Sequence, residues 1–307
     1  MKIREATEKD IPKIVEVLKA SLGEEDLLLS EEVWRYKHLD NPFGKSIVLL
    51  ALENEHIIGV RAFMQWKWQK GEKLYSALRA VDTATHPAHQ GKGIFKKLTL
   101  QAVDIAKNEG VHFIFNTPNE KSRPGYLKMG WEQVGKIAVG LKPSLSFLNS
   151  HSRRPIILKE MGDEEIQDLC VTWNENQKGI SHFFTPKSAA YLNWRYELNP
   201  LQEYSVLATK GLYVAAYNKK RNGLRELRIV ESISTNRGDF KEGLRRFRKK
   251  LGGHLISFSP TLQKLSGVKG NFGPVLTANS LNLKAEEKSQ LLSIEKWNSS
   301  LGDLELF

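Results

Sequence analysis

The chain repeats itself, and this repeat restricts its architecture more than any other feature of the sequence. Four segments of the first half recur in the same order in the second half: residues 3–11 with 158–166, 34–36 with 194–196, 78–85 with 227–234, and 110–118 with 252–260. One short match could arise by chance, whereas four collinear matches indicate a duplication. The 307 residues also suit two domains of about 150 residues each. We therefore predict domains at 1–147 and 152–307, with their boundary in the Ser-, Asn- and Pro-rich segment 143–154.

Both halves show the same order of apolar patterns. The patterns predict a strand, two helices, several strands, a long helix, another strand, a short helix and final strands. In the first half, Ser30 is placed to cap a helix over 31–39, and Gly110 is placed to end the long helix that begins near Gly93. This alternation predicts an α/β fold.

Composition excludes several classes of protein. No apolar run approaches the roughly 18 residues needed to cross a bilayer, and the charged start of the chain, residues 1–5, offers no apolar signal-peptide core. The single cysteine, Cys170, cannot form an internal disulfide or a multi-cysteine metal site, and no metal is expected. These features predict a cytoplasmic protein.

The net charge of +11 would suit a nucleic acid, a membrane surface or an anionic small molecule. The densest basic run, residues 245–250, overlaps a helical pattern whose apolar positions are spaced for a core: Phe240, Leu244, Phe247 and Leu251. A solvated helix face is the favoured interpretation, because no zinc-finger or RNA-recognition signature accompanies the run. A nucleic-acid partner is therefore not expected, and a homo-oligomer is compatible with the sequence.

A glycine-containing loop, His86–Gly93, lies between the strand that ends at Thr85 and the helix that begins near Ile94. Gly91 and Gly93 allow backbone N–H groups to converge on one point, at which the helix also directs the positive end of its dipole. Lys92 adds a cation. The arrangement predicts a site for a diphosphate.

This loop and the residues around it resemble the GCN5-related N-acetyltransferase (GNAT) superfamily. The cofactor motif of that family, Arg/Gln-x-x-Gly-x-Gly/Ala, is matched by Gln90-Gly91-Lys92-Gly93-Ile94-Phe95, and the segments 81–87, 116–119 and 124–131 also fit. The resemblance covers residues 1–145 and reaches the rest through the repeat. One residue departs from it: Phe95 stands where Gly or Ala is usual, and it would either crowd the cofactor or point into the core.

The resemblance implies two tandem domains, each with a mixed, mostly antiparallel, splayed sheet flanked by helices. It also implies acetyl-CoA as co-substrate, bound between the strands that end near Thr85 and Asn116. The residues expected to bind it are Thr83, Ala84, Thr85, Gln90, Gly91, Lys92, Gly93, Ile94, Phe95 and Asn119. The acid that protonates the departing thiolate would be Tyr126, for which the alternative is packing of the short helix against the sheet.

Asp82 is the motif-placed candidate for the base that deprotonates the attacking amine. The duplication offers an alternative. Glu231 occupies the same place in the second copy, so the carboxylate could be structural in both halves and pair with Arg79 and Arg228. The structural interpretation is the favoured one.

The second copy looks degenerate. The segment between Ser234 and Gly252 is shorter than the matching segment between Thr85 and Gly110, and the missing residues fall where the loop would be. Val268 aligns with Tyr126, and the glycines of 267–273 follow the wrong strand for a phosphate site. We expect this half to bind no cofactor and to form one side of the acceptor groove.

The predicted function is transfer of an acetyl group to a primary amine of a small molecule. The ending of the chain, residues 297–307, resembles tandem acetyltransferases linked to bacterial surface polysaccharides, which favours an amino sugar. Two alternatives remain: a non-enzymatic CoA-binding scaffold or sensor, and a tandem transferase that uses aminoacyl-tRNA. Met64, Trp66 and Trp68 share one strand face, and they either line an acceptor pocket or are buried between the two halves.

Overall fold

The computed structural model describes residues 1–22, 29–144, 154–221, 223–262 and 265–304. The first half contains β1 (Lys2–Glu5), α1 (Ile11–Leu22), α2 (Glu31–His38), β2 (Ile47–Glu53), β3 (His56–Lys70), β4 (Lys73–Thr85), α3 (Ile94–Asn108), β5 (Phe113–Asn116), α4 (Arg123–Leu127), β6 (Glu132–Lys136) and β7 (Val139–Pro143). The second half contains β8 (Ile157–Lys159), α5 (Asp163–Lys178), α6 (Ala189–Leu192), β9 (Ser205–Thr209), β10 (Leu212–Arg221), β11 (Leu224–Ser234), α7 (Arg237–Leu251), β12 (Leu255–Phe258), β13 (Val268–Gly270), β14 (Val275–Ser280), α8 (Ala285–Leu291) and α9 (Leu301–Leu304). Most of the predicted order recurs in both halves, although no counterpart of α4 appears between β12 and β13 among the described residues.

The strands form two seven-stranded sheets, in the orders β1-β2-β3-β4-β5-β14-β6 and β13-β7-β12-β11-β10-β9-β8. Neighbouring strands are mostly antiparallel, and the parallel pairs include β4 with β5, β11 with β12 and β8 with β9. The prediction of an α/β fold with mixed, mostly antiparallel sheets is confirmed.

Each half contributes one strand to the sheet of the other half. β7 lies between β13 and β12 in the second sheet, and β14 lies between β5 and β6 in the first sheet. The compact units accordingly consist of 1–68, 74–135 and 275–293, and of 69–73, 136–274 and 294–307. The domain boundary predicted at 147–152 stays a prediction, and it does not coincide with the division between these units. Most of the segment predicted to carry it, 145–153, lies outside the described residues.

The first sheet is covered by apolar residues on both faces. One cluster joins the sheet to α3 through Ile94, Leu98, Ala102 and Ala106, which recur every four residues or so and therefore share one face of the helix. The other cluster joins it to α1 through Ile11, Ile14, Val15, Val17 and Leu18. Gly59 of β3 lets α3 approach closely, because a Cβ at this position would lie 2.7 Å from Ile94 Cγ2. Met64, Trp66 and Trp68 are fully buried.

The second sheet packs against α7. The core positions predicted on this helix, Phe240, Leu244, Phe247 and Leu251, are buried, while Arg245, Lys249 and Lys250 are exposed. The basic run is thus one face of an amphipathic helix. Within the described residues, no helix is long and apolar enough to cross a membrane.

Candidate active site

The first sheet opens where β4 and β5 separate. These two parallel strands pair only at 77–79 with 113–115, although β4 continues to Thr85. The side-chain alternation of β4 also changes beyond this point. Leu78 and Ala80 contact the α3 cluster, whereas Val81 and Ala84 contact the α1 cluster. Since residues an even number apart normally share a face of a strand, β4 departs from regular geometry beside the opening.

The glycine loop stands at the end of this opening. Gly91 and Gly93 have φ angles of 77° and 71°, in the left-handed region that favours glycine, and no atom would meet a Cβ at either position. Gln90 Nε2 donates to the carbonyl of Thr85 at 3.4 Å, which ties the loop to β4. Gln90, Gly91, Lys92 and Gly93 are all exposed.

The amino terminus of α3 has no side-chain cap. Gly93 occupies the N-cap position without a side-chain hydrogen bond, and the first backbone bond runs from Lys97 N to Gly93 O at 3.1 Å. The N–H groups of the first turn therefore point out of the helix without intrahelical acceptors, beside the positive end of its dipole. The residues here fit a diphosphate. Backbone donors, exposed glycines and the Lys92 ammonium would hold it.

The side chain of Phe95 lies on the face of α3 that is directed toward the core. Its ring packs edge-on against Tyr126 at a centroid distance of 5.7 Å, and it contacts the α3 cluster. Of the two placements considered for this residue, the structure has the one in which the side chain points inward.

Tyr126 lies on α4 and is 4% exposed. Its ring also packs against Trp131 at 5.2 Å, and its hydroxyl oxygen accepts a hydrogen bond from Arg61 Nη1 at 2.9 Å. Asn119 lies just before this helix, where its Oδ1 accepts from Ser122 N at 2.9 Å. Asn119 thus orders the turn that leads into α4. Arg61 is a functional candidate that the motifs in the sequence do not indicate, although a cation within the apolar run of β3 is an unusual feature that could have identified it.

Asp82 lies on the opposite face of the sheet from Tyr126, against α2. Its carboxylate forms an ion pair with Lys37 and a 2.8 Å hydrogen bond with His38 Nε2, while His38 Nδ1 lies 2.8 Å from Ser46 Oγ. A carboxylate only accepts, so the network assigns the proton of the neutral imidazole to Nε2, and Ser46 donates to Nδ1. The expected pairing of Asp82 with Arg79 is wrong, because these buried partners come from α2.

Burial acts to raise the pKa of Asp82, but the charge of Lys37 and the hydrogen bond from His38 outweigh it, so the pKa lies well below its ordinary value. Burial lowers the pKa of His38 against the opposing effect of Asp82. A carboxylate that holds two partners and has a lowered pKa is a weak base. These features favour the structural interpretation of Asp82.

Residues 2–134 match the sequence model of the acetyltransferase (GNAT) domain. These residues therefore form a GNAT acetyltransferase domain. This GNAT domain is an acyl-CoA-dependent N-acetyltransferase, and its co-substrate is acetyl-CoA. No curated protein matches the chain.

Solved structures share its fold. GCN5-related N-acetyltransferases from Anabaena variabilis and Kribbella flavida are each 13% identical, with TM-scores of 0.66 and 0.67, and the matches cover 92% of this chain and 73% and 71% of theirs. Eis1 from Mycobacterium abscessus is 11% identical with a TM-score of 0.58, covering 95% of this chain and 76% of its own. At such identities the likeness shows the fold alone.

The described residues of the second half contain no counterpart of the cradle of the GNAT domain. At the start of α7, Asn236 Oδ1 accepts from Gly238 N at 2.8 Å and from Asp239 N at 3.0 Å, so a side chain occupies the donors that α3 leaves free. Asp239 adds a negative charge at the same place. A diphosphate at this position would find the backbone N–H groups already bonded to Asn236 and would be repelled by the carboxylate of Asp239.

The buried carboxylate of the second half also has its own partners. Glu231 pairs with Lys187 at 2.7 Å and accepts from the Tyr196 hydroxyl at 3.1 Å, and Lys187 also pairs with Asp303 at 2.8 Å. Arg228 pairs with Glu226 at 3.1 Å, so the expected pairing of Arg228 with Glu231 is wrong. The equivalent carboxylates of the two halves are therefore both held in ion-pair networks.

Proposed function

We propose that the GNAT domain transfers the acetyl group of acetyl-CoA to a primary amine of a small molecule, with Tyr126 as the acid. The observation that carries the proposal is the uncapped start of α3, with Gly91 and Gly93 beside the opening between β4 and β5. Its contrast with the capped α7 supports one cofactor site per chain.

In the proposed reaction the amine nitrogen attacks the thioester carbonyl carbon, a C–N bond forms, and the C–S bond breaks. Tyr126 gives its hydroxyl proton to the leaving sulfur. Over one cycle, the proton that the amine nitrogen releases replaces the proton that Tyr126 has lost. Amine and thioester thus yield amide and thiol. We infer that Thr83, Ala84 and Thr85 offer backbone groups to the cofactor, since β4 has separated from β5 along these residues.

For the acceptor, an amino sugar remains our proposal, based on the ending of the chain at 297–307. Residues 305–307 of this segment lie outside the described residues. The location in the cytoplasm and the absence of a nucleic-acid partner also stay predictions.

Cofactor binding is tested with Gly93→Ala and a matched control. Gly93 and Gly110 lie at opposite ends of α3, both have positive φ, and neither has an atom within 4 Å of a Cβ position. Both alanine variants therefore incur a similar backbone strain, but only Gly93→Ala places a methyl group in the cradle. We expect acetyl-CoA at 100 times its dissociation constant to stabilise the wild type and Gly110→Ala by about 2.7 kcal/mol and Gly93→Ala by much less. A wild type without any shift would refute the site.

The acid role is tested with Tyr126→Phe, which should lower kcat by about 10²–10⁴. Tyr213→Phe is the control, because it removes a hydroxyl from another buried tyrosine, in the second sheet. Thiol release is measured across amino sugars, polyamines and peptide amines. Binding without turnover on the whole panel would favour the sensor alternative, and strongly salt-dependent tRNA binding would favour the aminoacyl-tRNA alternative.

A further inference from the structure

Arg61 is a fully buried cation in the middle of β3. Its Nη1 donates to Tyr126, while its Nε and Nη2 have no hydrogen-bond partner among the described residues. No carboxylate within the described ranges forms an ion pair with it. Removing a guanidinium from water without a compensating anion is unfavourable, so its presence here calls for a reason other than stability.

Aromatic rings surround the guanidinium. Its carbon lies 4.5 Å from the ring centre of Phe63, 5.3 Å from that of Tyr126 and 5.6 Å from that of Phe95. Cation–π attraction offsets part of the desolvation cost and fixes the group in place. Nη1 lies 2.9 Å from the phenol oxygen, so the side-chain hydrogen bond that this cation forms within the described part of the chain is directed at the proposed acid.

The duplication gives an independent comparison. The hairpins β2–β3 and β9–β10 are equivalent in the two halves. Counted from the turn of each hairpin, the fifth cross-strand pair is Leu49 with Arg61 in the first half and Ser205 with Ala216 in the second half. The copy without a phosphate loop therefore has alanine in place of Arg61, and the helix that carries Tyr126 has no counterpart between β12 and β13 among its described residues. Among the described residues, the pair formed by Arg61 and Tyr126 therefore occurs only in the half that has the cradle.

We propose that Arg61 is a positioning residue for Tyr126, and the proposal rests on the acid role of that tyrosine. Because the phenol oxygen accepts from Nη1, its own hydrogen is directed away from the guanidinium and is free for donation. After that proton moves to the leaving sulfur, the fixed positive charge stabilises the negative charge left on the oxygen, in surroundings from which water is excluded.

The test compares Arg61→Met, which keeps most of the volume without charge, with Arg61→Lys, which keeps the charge. We expect Arg61→Met to lower kcat by about 10- to 100-fold, the effect of losing one charge-assisted hydrogen bond, and Arg61→Lys to restore part of it. The dissociation constant for acetyl-CoA, measured by calorimetry, should change by less than about twofold. The Arg61→Met protein should unfold at the same temperature as the wild type or higher, since a buried cation has been removed.

A direct readout is the ¹³Cζ resonance of Tyr126 in protein labelled at tyrosine, assigned by its loss in Tyr126→Phe. This resonance should shift in Arg61→Met and move back toward its wild-type position in Arg61→Lys. In the double variant Arg61→Met/Tyr126→Phe, kcat should fall no further than in Tyr126→Phe alone, because either change already removes the same interaction between the two side chains.

Arg61→Met with kcat within about threefold of the wild type, while Tyr126→Phe is severely impaired, would overturn the inference and leave the acid role intact. Loss of stability and cofactor binding together in Arg61→Met would also overturn it, since the arginine would then be structural. Full activity of Tyr126→Phe would remove the acid role itself, and the inference with it.

Discussion

Replacing Asp82 by asparagine removes the charge of this side chain and keeps its shape. In the folded protein this carboxylate faces Lys37 and His38, whose side chains are 5% and 1% exposed, and is itself 15% exposed. The amide oxygen of the variant could still accept a hydrogen bond, but the Lys37 ammonium would be buried without a counter-charge. The variant therefore tests whether this network contributes to stability or to catalysis.

Breaking a buried ion pair by removing one partner costs about 3–5 kcal/mol. Because Asp82 is partly exposed, we expect the lower end of this range, about 3 kcal/mol. In a protein with units of this size each kcal/mol lowers Tm by about 2–4 °C, so Tm should fall by about 6–12 °C.

The assay is urea unfolding of the wild type, Asp82→Asn, Lys37→Met and the double variant. Since the two side chains are in contact, the double variant should be more stable than the sum of the single changes predicts, by about 0.5–3 kcal/mol. A cost below about 1 kcal/mol for Asp82→Asn, together with additive single changes, would refute the argument. Acetyl transfer by the folded variant separates the two roles. A structural carboxylate leaves kcat within about tenfold, whereas loss of a general base lowers it by about 10²–10⁴.

Two further predictions concern pH and packing. Burial lowers the pKa of His38 below its ordinary value of 6.5, so the unfolded chain takes up this proton first. The stability contributed by neutral His38 is therefore present above pH 6.5 and is lost as pH falls further, with a slope of up to about 1.4 kcal/mol per pH unit. His38→Asn should flatten this part of a plot of unfolding free energy between pH 7.5 and 5.5, and an unchanged slope would contradict the assignment. Gly59→Ala should destabilise the protein by about 1–3 kcal/mol and weaken acetyl-CoA binding, because its Cβ would meet Ile94 at 2.7 Å. Gly179→Ala, whose nearest neighbour would lie at 3.9 Å, is the control and should change neither measurement.

Patterns along the sequence predict two similar halves and the position of the glycine loop. Both depend on patterns that are local along the chain. The repeat compares segments directly, and the strand, the two glycines and the helix from Thr85 to Ile94 are contiguous. The amphipathic pattern of α7 was predicted for the same reason, since its period is set by the helix itself.

The contacts between distant side chains depend on the tertiary structure. Asp82 and its partner His38 are 44 positions apart, and Arg61 and Tyr126 are 65 apart, so their contacts follow from sheet order and strand register rather than from any local pattern. The exchange of β7 and β14 has the same origin. The pattern of a strand specifies that the segment is extended and which of its faces is apolar. Which strand it pairs with depends on the strand edges that remain unpaired in the rest of the fold.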